Sequence, residues 1–346
     1  MAVAPQLPTL EILDLRRVRA RRLASLFQEE QQHWREQLYW DYRPSVEIIR
    51  KHVDARNLPG CVAMSQGRVA GYCFFITEED KATIGDLYVR EEFRRERVSG
   101  EAGIATVLLE HTLETLTHIP GLRRIEGQLV SFDTDPLATL FHAHGFRSFL
   151  RLFMHKPLAR AQPSRPGVTE QMPLQIPADL ESAAELRVWD DGYFEAMAAL
   201  VVEAYRGHAD SQINDYYHNQ AGALRFLKNI VIFPGCGTFQ PDCSVVAVER
   251  GSPTRRRRRE RLVGAILTSQ VAPGVGHITQ ICVRPDRQRQ GLGSRLLNAA
   301  LARLAAKGYT RVSLTVTAEN QAAVRLYRRL GFEVLKEFCA FARTLR

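Results

Sequence analysis

Long apolar runs are missing from this sequence. No uninterrupted apolar stretch approaches the roughly 20 residues that a membrane-spanning helix needs, and the first residues lack the basic start and apolar core of a secretory signal. The six cysteines have neither C-x-x-C nor zinc-like spacing, which argues against a disulfide framework and a zinc site. We therefore expect a cytoplasmic protein with reduced thiols, no bound metal and no membrane partner.

What is present is the composition of an ordinary globular protein with a basic balance. The 346 residues are 45% hydrophobic and 25% charged, and a chain of this length can form two domains with buried cores. The net charge of +9 favours acidic partners, which could be a nucleotide-like cofactor, a nucleic acid or an anionic surface. A run of positive charges lies at Arg255–Arg259. We interpret it as a solvated hairpin tip, because no aromatic residues interleave with it as nucleic-acid binding would favour.

An internal repeat organises the chain. The segment 291–304, GLGSRLLNAALARL, aligns without gaps with 103–116, GIATVLLEHTLETL, and farther along LYRRLGFEV aligns with LFHAHGFRS. Each copy combines β-rich runs with amphipathic helices, which predicts a mixed sheet with helices on its faces. The leucines that coincide at helical spacing are Leu108, Leu109, Leu113 and Leu116 in one copy and Leu296, Leu297, Leu301 and Leu304 in the other.

The repeat predicts the domain organisation. We expect one domain over 1–158, a linker over 159–184 that is rich in Pro, Gln and Ser, and a second domain over 185–346. In the second domain the pattern predicts helices near 192–206, 215–232, 291–307 and 320–330, and β-runs near 243–249, 262–270, 277–283, 311–317 and 333–343.

A glycine-containing loop leads into the helix expected at 291. The preceding β-run ends at Val283, Pro285 interrupts strand pairing, and Gly291 and Gly293 permit close backbone approach. The unpaired N–H groups and positive dipole end of a helix make an anion site at such a start. From these residues alone, a phosphate-binding loop and a solvated basic turn that caps the helix are both open.

At this loop the sequence resembles the GNAT superfamily of N-acetyltransferases. QRQGLG, residues 288–293, fits that family's [Gln/Arg]-x-x-Gly-x-[Gly/Ala] pattern, and AENQAAVRLYRRLGF, residues 318–332, is similar to its second signature. The resemblance implies an α/β (α+β) fold of two tandem domains, each with a mixed, mostly antiparallel sheet flanked by helices. It also implies transfer of the acetyl group of acetyl-CoA to a primary amine by direct attack in a ternary complex.

The resemblance implies roles for residues of the second copy. The backbone of Ile281, Cys282 and Val283 would pair with the pantetheine arm and the acetyl carbonyl, and Asn320 would contact pantetheine. Tyr327 would lie beside the thioester sulfur as the acid. The loop that would hold the pyrophosphate consists of Gln288, Arg289, Gln290, Gly291, Leu292, Gly293 and Ser294.

Two titratable residues have structural alternatives. His277 lies 14 residues before Gly291, where related acetyltransferases often hold a base, but it could equally hydrogen-bond locally while water chains remove the proton. Tyr327 could be a half-buried helix residue, and Cys282 is interpreted as a small core residue rather than an acyl carrier. Polar residues between the first two helices of this copy could line an acceptor site, and they are Tyr205, Arg206, His208 and Asp210. Equally, Asp210, Ser211 and Asn214 could cap the next helix.

The first copy departs from the pattern at the loop. Val89 to Gly103 spans 14 positions, against 8 from Val283 to Gly291. The insertion brings glutamates close to the place of the phosphates, where negative charge is unfavourable.

The first copy also lacks two of the functional side chains. Phe141 stands where the second copy has Tyr327, and Thr83 stands where it has His277. We therefore predict an inert first domain and an active second one, with a small-molecule, protein or peptide amine as acceptor. The alternatives are a non-catalytic acyl-CoA-binding protein and a nucleic-acid-binding protein.

Overall fold

The computed structural model describes residues 10–95, 97–98, 102–130, 134–159, 184–232, 236–249 and 260–345. Almost all of the predicted linker and the whole of Arg255–Arg259 lie outside the described residues.

The strands are β1 (Leu10–Asp14), β2 (Gly60–Ser65), β3 (Arg68–Glu78), β4 (Lys81–Val89), β5 (Arg97–Val98), β6 (Ala102–Gly103), β7 (Arg124–Gln128), β8 (Arg147–Pro157), β9 (Ala184–Val188), β10 (Thr238–Phe239), β11 (Val245–Glu249), β12 (Arg261–Ala272), β13 (Val275–Val283), β14 (Arg311–Thr317) and β15 (Glu333–Thr344). The α-helices are α1 (Ala24–Leu38), α2 (Arg43–Asp54), α3 (Ile104–Thr117), α4 (Thr134–Ala143), α5 (Phe194–Ala204), α6 (Ala209–Ile213), α7 (Gln220–Val231), α8 (Leu292–Ala306) and α9 (Gln321–Arg329).

The chain folds into two compact units that exchange their last strands. Unit 1 runs from the N-terminus to Leu152 and takes up Lys336–Arg346, whereas unit 2 consists of Phe153–Leu335. The end of β15 therefore belongs to unit 1, and the end of β8 belongs to unit 2. The domain boundaries drawn from the repeat stay a prediction. They divide the chain into consecutive segments, whereas unit 1 also contains the last residues of the chain.

Unit 1 contains a mixed sheet in the order β1, β2, β3, β4, β7 and the end of β15. Neighbouring strands are antiparallel except β4 and β7, which are parallel. Helix α3 packs on one face through Leu108, Leu109, Leu113 and Leu116, all of which are buried as their spacing predicts. Helices α1 and α2 form a second apolar cluster with other residues of β2, β3 and β4.

Unit 2 repeats this arrangement. The end of β8 is followed by β14, β13, β12, β11 and β9, and β13 and β14 are the parallel pair. Helix α8 packs on β12, and Leu296, Leu297, Leu301 and Leu304 are buried. Helices α5 and α7 form a separate apolar cluster with β11, β12 and Cys282. The predicted fold class is thus confirmed in both units.

The two units share one irregularity, which lies in β4 of unit 1 and in β13 of unit 2. In unit 1 the β3–β4 pairing skips Gly85, and in unit 2 the β12–β13 pairing skips Thr279, so each strand carries a bulge at the same repeat position. The parallel pairs also end together, at Ile84 in β4 and at Ile278 in β13. Beyond these residues the ladder between the two parallel strands of each unit stops, which leaves an opening in the pairing.

The same ion pair ties the first helix of each unit to the end of this strand. Arg90 lies 3.2 Å from Glu29 of α1 in unit 1, and Arg284 pairs with Glu203 of α5 in unit 2. Because both pairs are partly buried, they position the helix more firmly than an exposed pair would.

Some local structure differs from the sequence prediction. The helix expected at 192–206 is α5 preceded by a short 3₁₀ turn, and the one expected at 215–232 begins only at Gln220. Helix α6 was not predicted, because its five residues are too few to show a period. No helix in the described ranges combines the length and apolar character needed to cross a membrane. The six cysteines, all of them in described ranges, form no disulfide.

The exchanged strand should stabilise unit 1 measurably. Phe341 of β15 is 2% exposed and stacks on Phe141 with ring centroids 3.9 Å apart. We expect Phe341→Ala to lower the free energy of unfolding of unit 1 by about 3–5 kcal/mol, through lost burial and the cavity left behind. Urea unfolding followed by the fluorescence of Trp34 and Trp40 measures this, in a background whose unit 2 tryptophan is replaced by phenylalanine. The exposed neighbour Glu337 provides the control, since Glu337→Ala should change stability by about 0.5 kcal/mol or less. Equal losses of unfolding free energy in Phe341→Ala and Glu337→Ala would contradict the expected role of the strand.

Candidate active site

The loop between β13 and α8 ends in an uncapped helix start. Gly291 precedes the helix with φ +76°, in the left-handed region that glycine favours, and its α-carbon faces open space. The first backbone bond that closes the helix runs from the N–H of Arg295 to the carbonyl of Gly291, 3.0 Å. The N–H groups of Leu292, Gly293 and Ser294 therefore have no acceptor within the helix, and Gly291, which precedes it, has no side chain that could cap it. Such an end can bind an anion.

The glutamines of the loop order its backbone. Gln288 Nε2 donates to the carbonyl of Val283 at 3.1 Å, and Gln290 Nε2 donates to the carbonyl of Asp286 at 3.1 Å. Arg289 has φ +60° and is exposed. The predicted loop residues thus lie together, and the side-chain amides of Gln288 and Gln290 are engaged by carbonyl groups of the loop itself.

The arginines near the loop are largely engaged. Arg287 lies 3.0 Å from Glu249, and Arg284 lies 2.9 Å from Asp286. The positive charge available to a ligand is therefore smaller than the sequence suggests. Anion affinity at this loop rests mainly on the backbone N–H groups and the helix dipole.

The opening between β13 and β14 adjoins the loop. The last residues of these strands in register are Ile278 and Leu314, and no other strand of the described ranges pairs with this edge of β13 from Thr279 to Val283. The carbonyl of Ile281 instead accepts a hydrogen bond from the hydroxyl of Tyr205, 3.3 Å. The residues expected to bind the pantetheine arm thus lie beside a gap in the sheet.

Tyr205 is the centre of a buried polar cluster next to this opening. Its hydroxyl accepts from Gln280 Nε2 at 2.9 Å, and its ring stacks on Tyr217 with centroids 4.3 Å apart. Burial raises the pKa of Tyr205 well above its usual range, and the neighbouring Tyr217 and Asp210 raise it further. The hydroxyl therefore stays protonated and remains a hydrogen-bond donor.

His208 and Asp210 connect α6 to the far side of the site. His208 Nε2 lies 3.1 Å from the amide nitrogen of Asn320, and Asp210 accepts a hydrogen bond from Thr317 of β14. His208 also caps α6, and Asn320 caps α9, whereas the lining of an acceptor site by these residues stays a prediction. Arg206 is exposed and contributes to neither contact.

His277 is buried at the closed end of the opening. It is 8% exposed, its Nδ1 lies 2.9 Å from Ser313 Oγ, and its ring stacks on Phe153 with centroids 5.9 Å apart. Burial lowers the pKa of His277 to about 4. The imidazole is therefore neutral at pH 7, and the same burial disfavours the charged form that proton uptake would create.

Tyr327 and Cys282 are also buried near this cluster. Tyr327 of α9 is 5% exposed and is close enough to Tyr205 to contribute to the raised pKa of that residue. Burial raises the pKa of Cys282 to about 12, so its thiol is protonated and a poor nucleophile. This supports the interpretation of Cys282 as a core residue.

Three polar residues of the candidate site were not predicted from the sequence. Gln280, Ser313 and Thr317 lie on apolar strands and are 5%, 1% and 0% exposed. A polar side chain at a buried strand position needs a hydrogen-bond partner, so each of them carried a signal. Only the fold reveals which partner it has.

Unit 1 is different at the loop. Arg94 Nε donates to the carbonyl of Val89 at 3.0 Å, as Gln288 does to Val283 in unit 2. The chain then forms the hairpin of β5 and β6, and the residue before α3, Gly103, is extended with φ −78° and pairs with β5. The start of α3 thus has a different shape from that of α8.

Unit 1 also carries an acid pair where unit 2 has Gln280. Asp86 follows the bulge in β4 as Gln280 does in β13. Asp86 accepts from the Tyr42 hydroxyl at 2.6 Å, and Glu30 accepts from the Tyr72 hydroxyl at 3.0 Å. Burial raises the pKa of Glu30 well above its usual range, and the adjacent Asp86 raises it further. The protonated form of Glu30 is thus favoured, and the two carboxyl groups occupy this part of unit 1.

Comparison with known proteins identifies the family. The chain matches the model of the acetyltransferase (GNAT) family twice, over residues 20–146 and 218–332. A mycothiol acetyltransferase of Saccharopolyspora erythraea is 28% identical over 276 residues, which cover 78% of this chain and 80% of that protein. The mycothiol acetyltransferase of Corynebacterium aurimucosum is 39% identical over 72 residues, and there the match spans 21% of this chain and only 24% of the relative.

A solved structure has the same fold over nearly its whole length. The GCN5-related N-acetyltransferase from Sphaerobacter thermophilus superimposes with a TM-score of 0.65, covering 97% of this chain and 96% of that one. The two sequences are 18% identical, so this likeness concerns the fold alone.

The burial of His277 predicts a pH-dependent stability of unit 2. Its pKa is about 4 when folded against 6.5 for an ordinary histidine, so between these values the unfolded chain binds a proton that the folded one does not. Stability is therefore lost as the pH falls. Between pH 7 and pH 4.5 the wild type should lose about 2–3 kcal/mol more unfolding free energy than His277→Gln.

Urea unfolding followed by Trp189, in a background with Trp34 and Trp40 replaced by phenylalanine, measures this difference. The exposed His218 of the same unit provides the control, and His218→Gln should retain the wild-type pH dependence. A His277→Gln profile parallel to that of the wild type would show that the folded-state pKa is ordinary.

Proposed function

Because the chain belongs to the acetyltransferase (GNAT) family, we propose that unit 2 transfers the acetyl group of acetyl-CoA to a primary amine. The observation that carries the proposal is the uncapped start of α8 beside the opening between β13 and β14. The first can hold a pyrophosphate through backbone N–H groups, and the second offers unpaired strand edge to an extended pantetheine arm. A donor bound along both would place its thioester near Tyr327.

The chemistry needs three things of the protein. The amine must lose a proton, the oxyanion needs hydrogen-bond donors, and the leaving thiolate needs a proton. In the proposed reaction the amine nitrogen attacks the thioester carbonyl, the C–S bond breaks, and Tyr327 donates its proton to the thiolate. His277, neutral at pH 7, accepts the amine proton directly or through water. Backbone N–H groups near Cys282 and Val283 stabilise the oxyanion.

The acceptor is proposed to bind at the cluster around Tyr205. Tyr205, His208 and Asp210 surround the opening with hydrogen-bonding groups, and Tyr217 adds an aromatic face. Such a set suits a polar amine better than an apolar one. Two of the relatives are named for mycothiol, so amines related to mycothiol belong in the acceptor panel.

Unit 1 is proposed to be inert and structural. Phe141 has no hydroxyl and is fully buried against Phe341, Thr83 replaces the proposed base, and the helix start is occupied by a hairpin. The acid pair fills the place that corresponds to the acceptor cluster.

Acetyl-CoA binding should depend on the helix start in unit 2. Gly291→Glu places a carboxylate where the pyrophosphate would lie, and we expect the Kd for acetyl-CoA to rise at least about tenfold by like-charge repulsion. Gly308 is a matched control, since it also has positive φ and open space but lies past the far end of α8. Calorimetry with Gly308→Glu should give a Kd within about twofold of the wild type. Equal losses of acetyl-CoA affinity in Gly291→Glu and Gly308→Glu would show that backbone strain, rather than charge at the loop, causes the effect.

The acid role of Tyr327 is tested by Tyr327→Phe. We expect kcat to fall about tenfold or more while the Kd for acetyl-CoA changes little, because only proton donation to the thiolate is lost. CoA release with a panel of alkylamines, amino sugars and peptides measures the rate. Tyr309→Phe is the control, since Tyr309 is equally buried and its hydroxyl bonds to Gln270 away from the site. An unchanged kcat in Tyr327→Phe would remove Tyr327 as the acid.

A further inference from the structure

The imidazole of His208 has a hydrogen-bond donor at each of its nitrogens. Nδ1 lies 3.1 Å from the backbone nitrogen of Asp210, whose N–H caps α6 through this contact. Nε2 lies 3.1 Å from Nδ2 of Asn320. The side-chain oxygen of Asn320 is engaged elsewhere, because it accepts the N–H of Ala323 at 3.2 Å and so caps α9. The nitrogen that faces His208 is therefore the amide NH₂, which can only donate.

A histidine ring cannot accept from both donors. A neutral imidazole has a lone pair on one nitrogen and a proton on the other, and an imidazolium has a proton on both. In every form of the ring, at least one N–H of His208 thus points at another N–H. The carboxylate of Asp210 does not remove this clash, since its Oδ2 lies 3.8 Å from Nδ1, beyond hydrogen-bond distance.

The backbone donor indicates where the proton lies. The N–H of Asp210 is held in direction by the start of α6, so it favours the lone pair on Nδ1 and the proton on Nε2. Nε2–H and the NH₂ group of Asn320 then face each other as two donors. Turning over the amide would offer an oxygen to Nε2–H, but it would remove the cap of α9. The two side chains thus converge on a place that suits an acceptor atom.

We infer that His208 and Asn320 form a two-donor site that binds one carbonyl or carboxylate oxygen of a ligand. A single oxygen can accept both N–H groups, because it has two lone pairs. Both residues are half-buried, and the ring of Tyr205 lies edge-on to that of His208 with centroids 5.4 Å apart. A hydrogen bond there is partly shielded from water, which strengthens it. The inference rests on the proposed function in placing the ligand in the acetyl-transfer site.

Two molecules of the proposed reaction can supply the oxygen. The pantetheine arm of acetyl-CoA contains amide carbonyls, and an amine acceptor with a carboxamide or carboxylate beside its amine contains another such oxygen. The chemistry of recognition is the same in both cases. Binding measurements with the two ligands distinguish them.

The proton on Nε2 can be observed directly. In protein labelled with ¹⁵N-histidine, long-range proton–nitrogen correlation spectra at pH 8 distinguish Nε2–H from Nδ1–H, and the signals of His208 are those lost in His208→Asn. Asparagine at this position can still cap α6 but is too short to reach Asn320. We expect Nε2–H in the ligand-free wild type. An Nδ1–H form would overturn the inference, since Nε2 would then accept from Asn320.

Asn320→Asp tests the facing donors without any ligand. An aspartate carboxylate can accept from Nε2–H and still cap α9, so we expect the thermal midpoint of unit 2 to rise by about 2–4 °C. Asn219→Asp is the matched control, since Asn219 caps α7 of the same unit and is exposed, and it measures the gain from the helix dipole alone. In the His208→Asn background the extra rise should disappear. Equal rises at the two caps, or a rise that persists without His208, would contradict the inference.

Ligand binding identifies the oxygen. Asn320→Asp replaces a donor by a negative charge, and we expect a loss of about tenfold in affinity for the ligand whose oxygen binds there. Calorimetry gives the Kd for acetyl-CoA, and KM values for matched amines with and without a carboxamide beside the amine report on the acceptor. Asn219→Asp should leave all of these values within about twofold of the wild type. An unchanged Kd for acetyl-CoA together with an unchanged preference for the carboxamide would overturn the site.

Failure of the inference differs from failure of the proposed function. If the wild type acetylates an amine while His208 carries its proton on Nδ1, the two-donor site fails and the acetyl transfer stands. If the wild type neither binds acetyl-CoA nor acetylates an amine, the proposed function fails, and the spectra and thermal midpoints still decide whether the two donors face each other.

Discussion

The site depends on the place where β13 and β14 stop pairing. Up to Ile278 the two parallel strands are in register, and the bulge at Thr279 follows immediately. Because a bulge bends its strand and disturbs the ladder, the backbone beyond it is left beside an opening, and the loop that continues from Val283 leads to the uncapped start of α8. The loop before α8, the buried histidine and the Tyr205 cluster all adjoin this one separation. The same separation in unit 1 shows that it belongs to the fold rather than to the chemistry.

Burial gives the titratable groups of the opening their character. His277 is kept neutral, whereas Tyr205 and Cys282 are kept protonated, in each case because a charge would be poorly solvated there. These three neutral groups can contact a ligand through hydrogen bonds rather than through ion pairs. In unit 1 the corresponding space holds Glu30 and Asp86, and burial raises the pKa of both, which disfavours two full negative charges there.

Local sequence patterns predicted the repeat, the buried leucines, the mixed sheet and the family, since these depend on periodicity and on a contiguous motif. They could not predict the exchange of β8 and β15, because strand partners far apart in the chain leave no local signal. The pairing of His277 with Ser313 depends on strand register for the same reason. The roles of the loop glutamines were also hidden, because their side chains bond to carbonyls that only the folded turn brings within reach.

We propose that acetyl-CoA binds along β13 and the start of α8 in unit 2. Amide hydrogen exchange with and without acetyl-CoA is the decisive measurement, since both segments have backbone N–H groups that a bound ligand would protect. We expect slower exchange at 279–283 and 292–294 when acetyl-CoA is present, with the corresponding residues 85–89 and 104–106 of unit 1 unchanged. Protection confined to unit 1, or absent from both segments of unit 2, would contradict it.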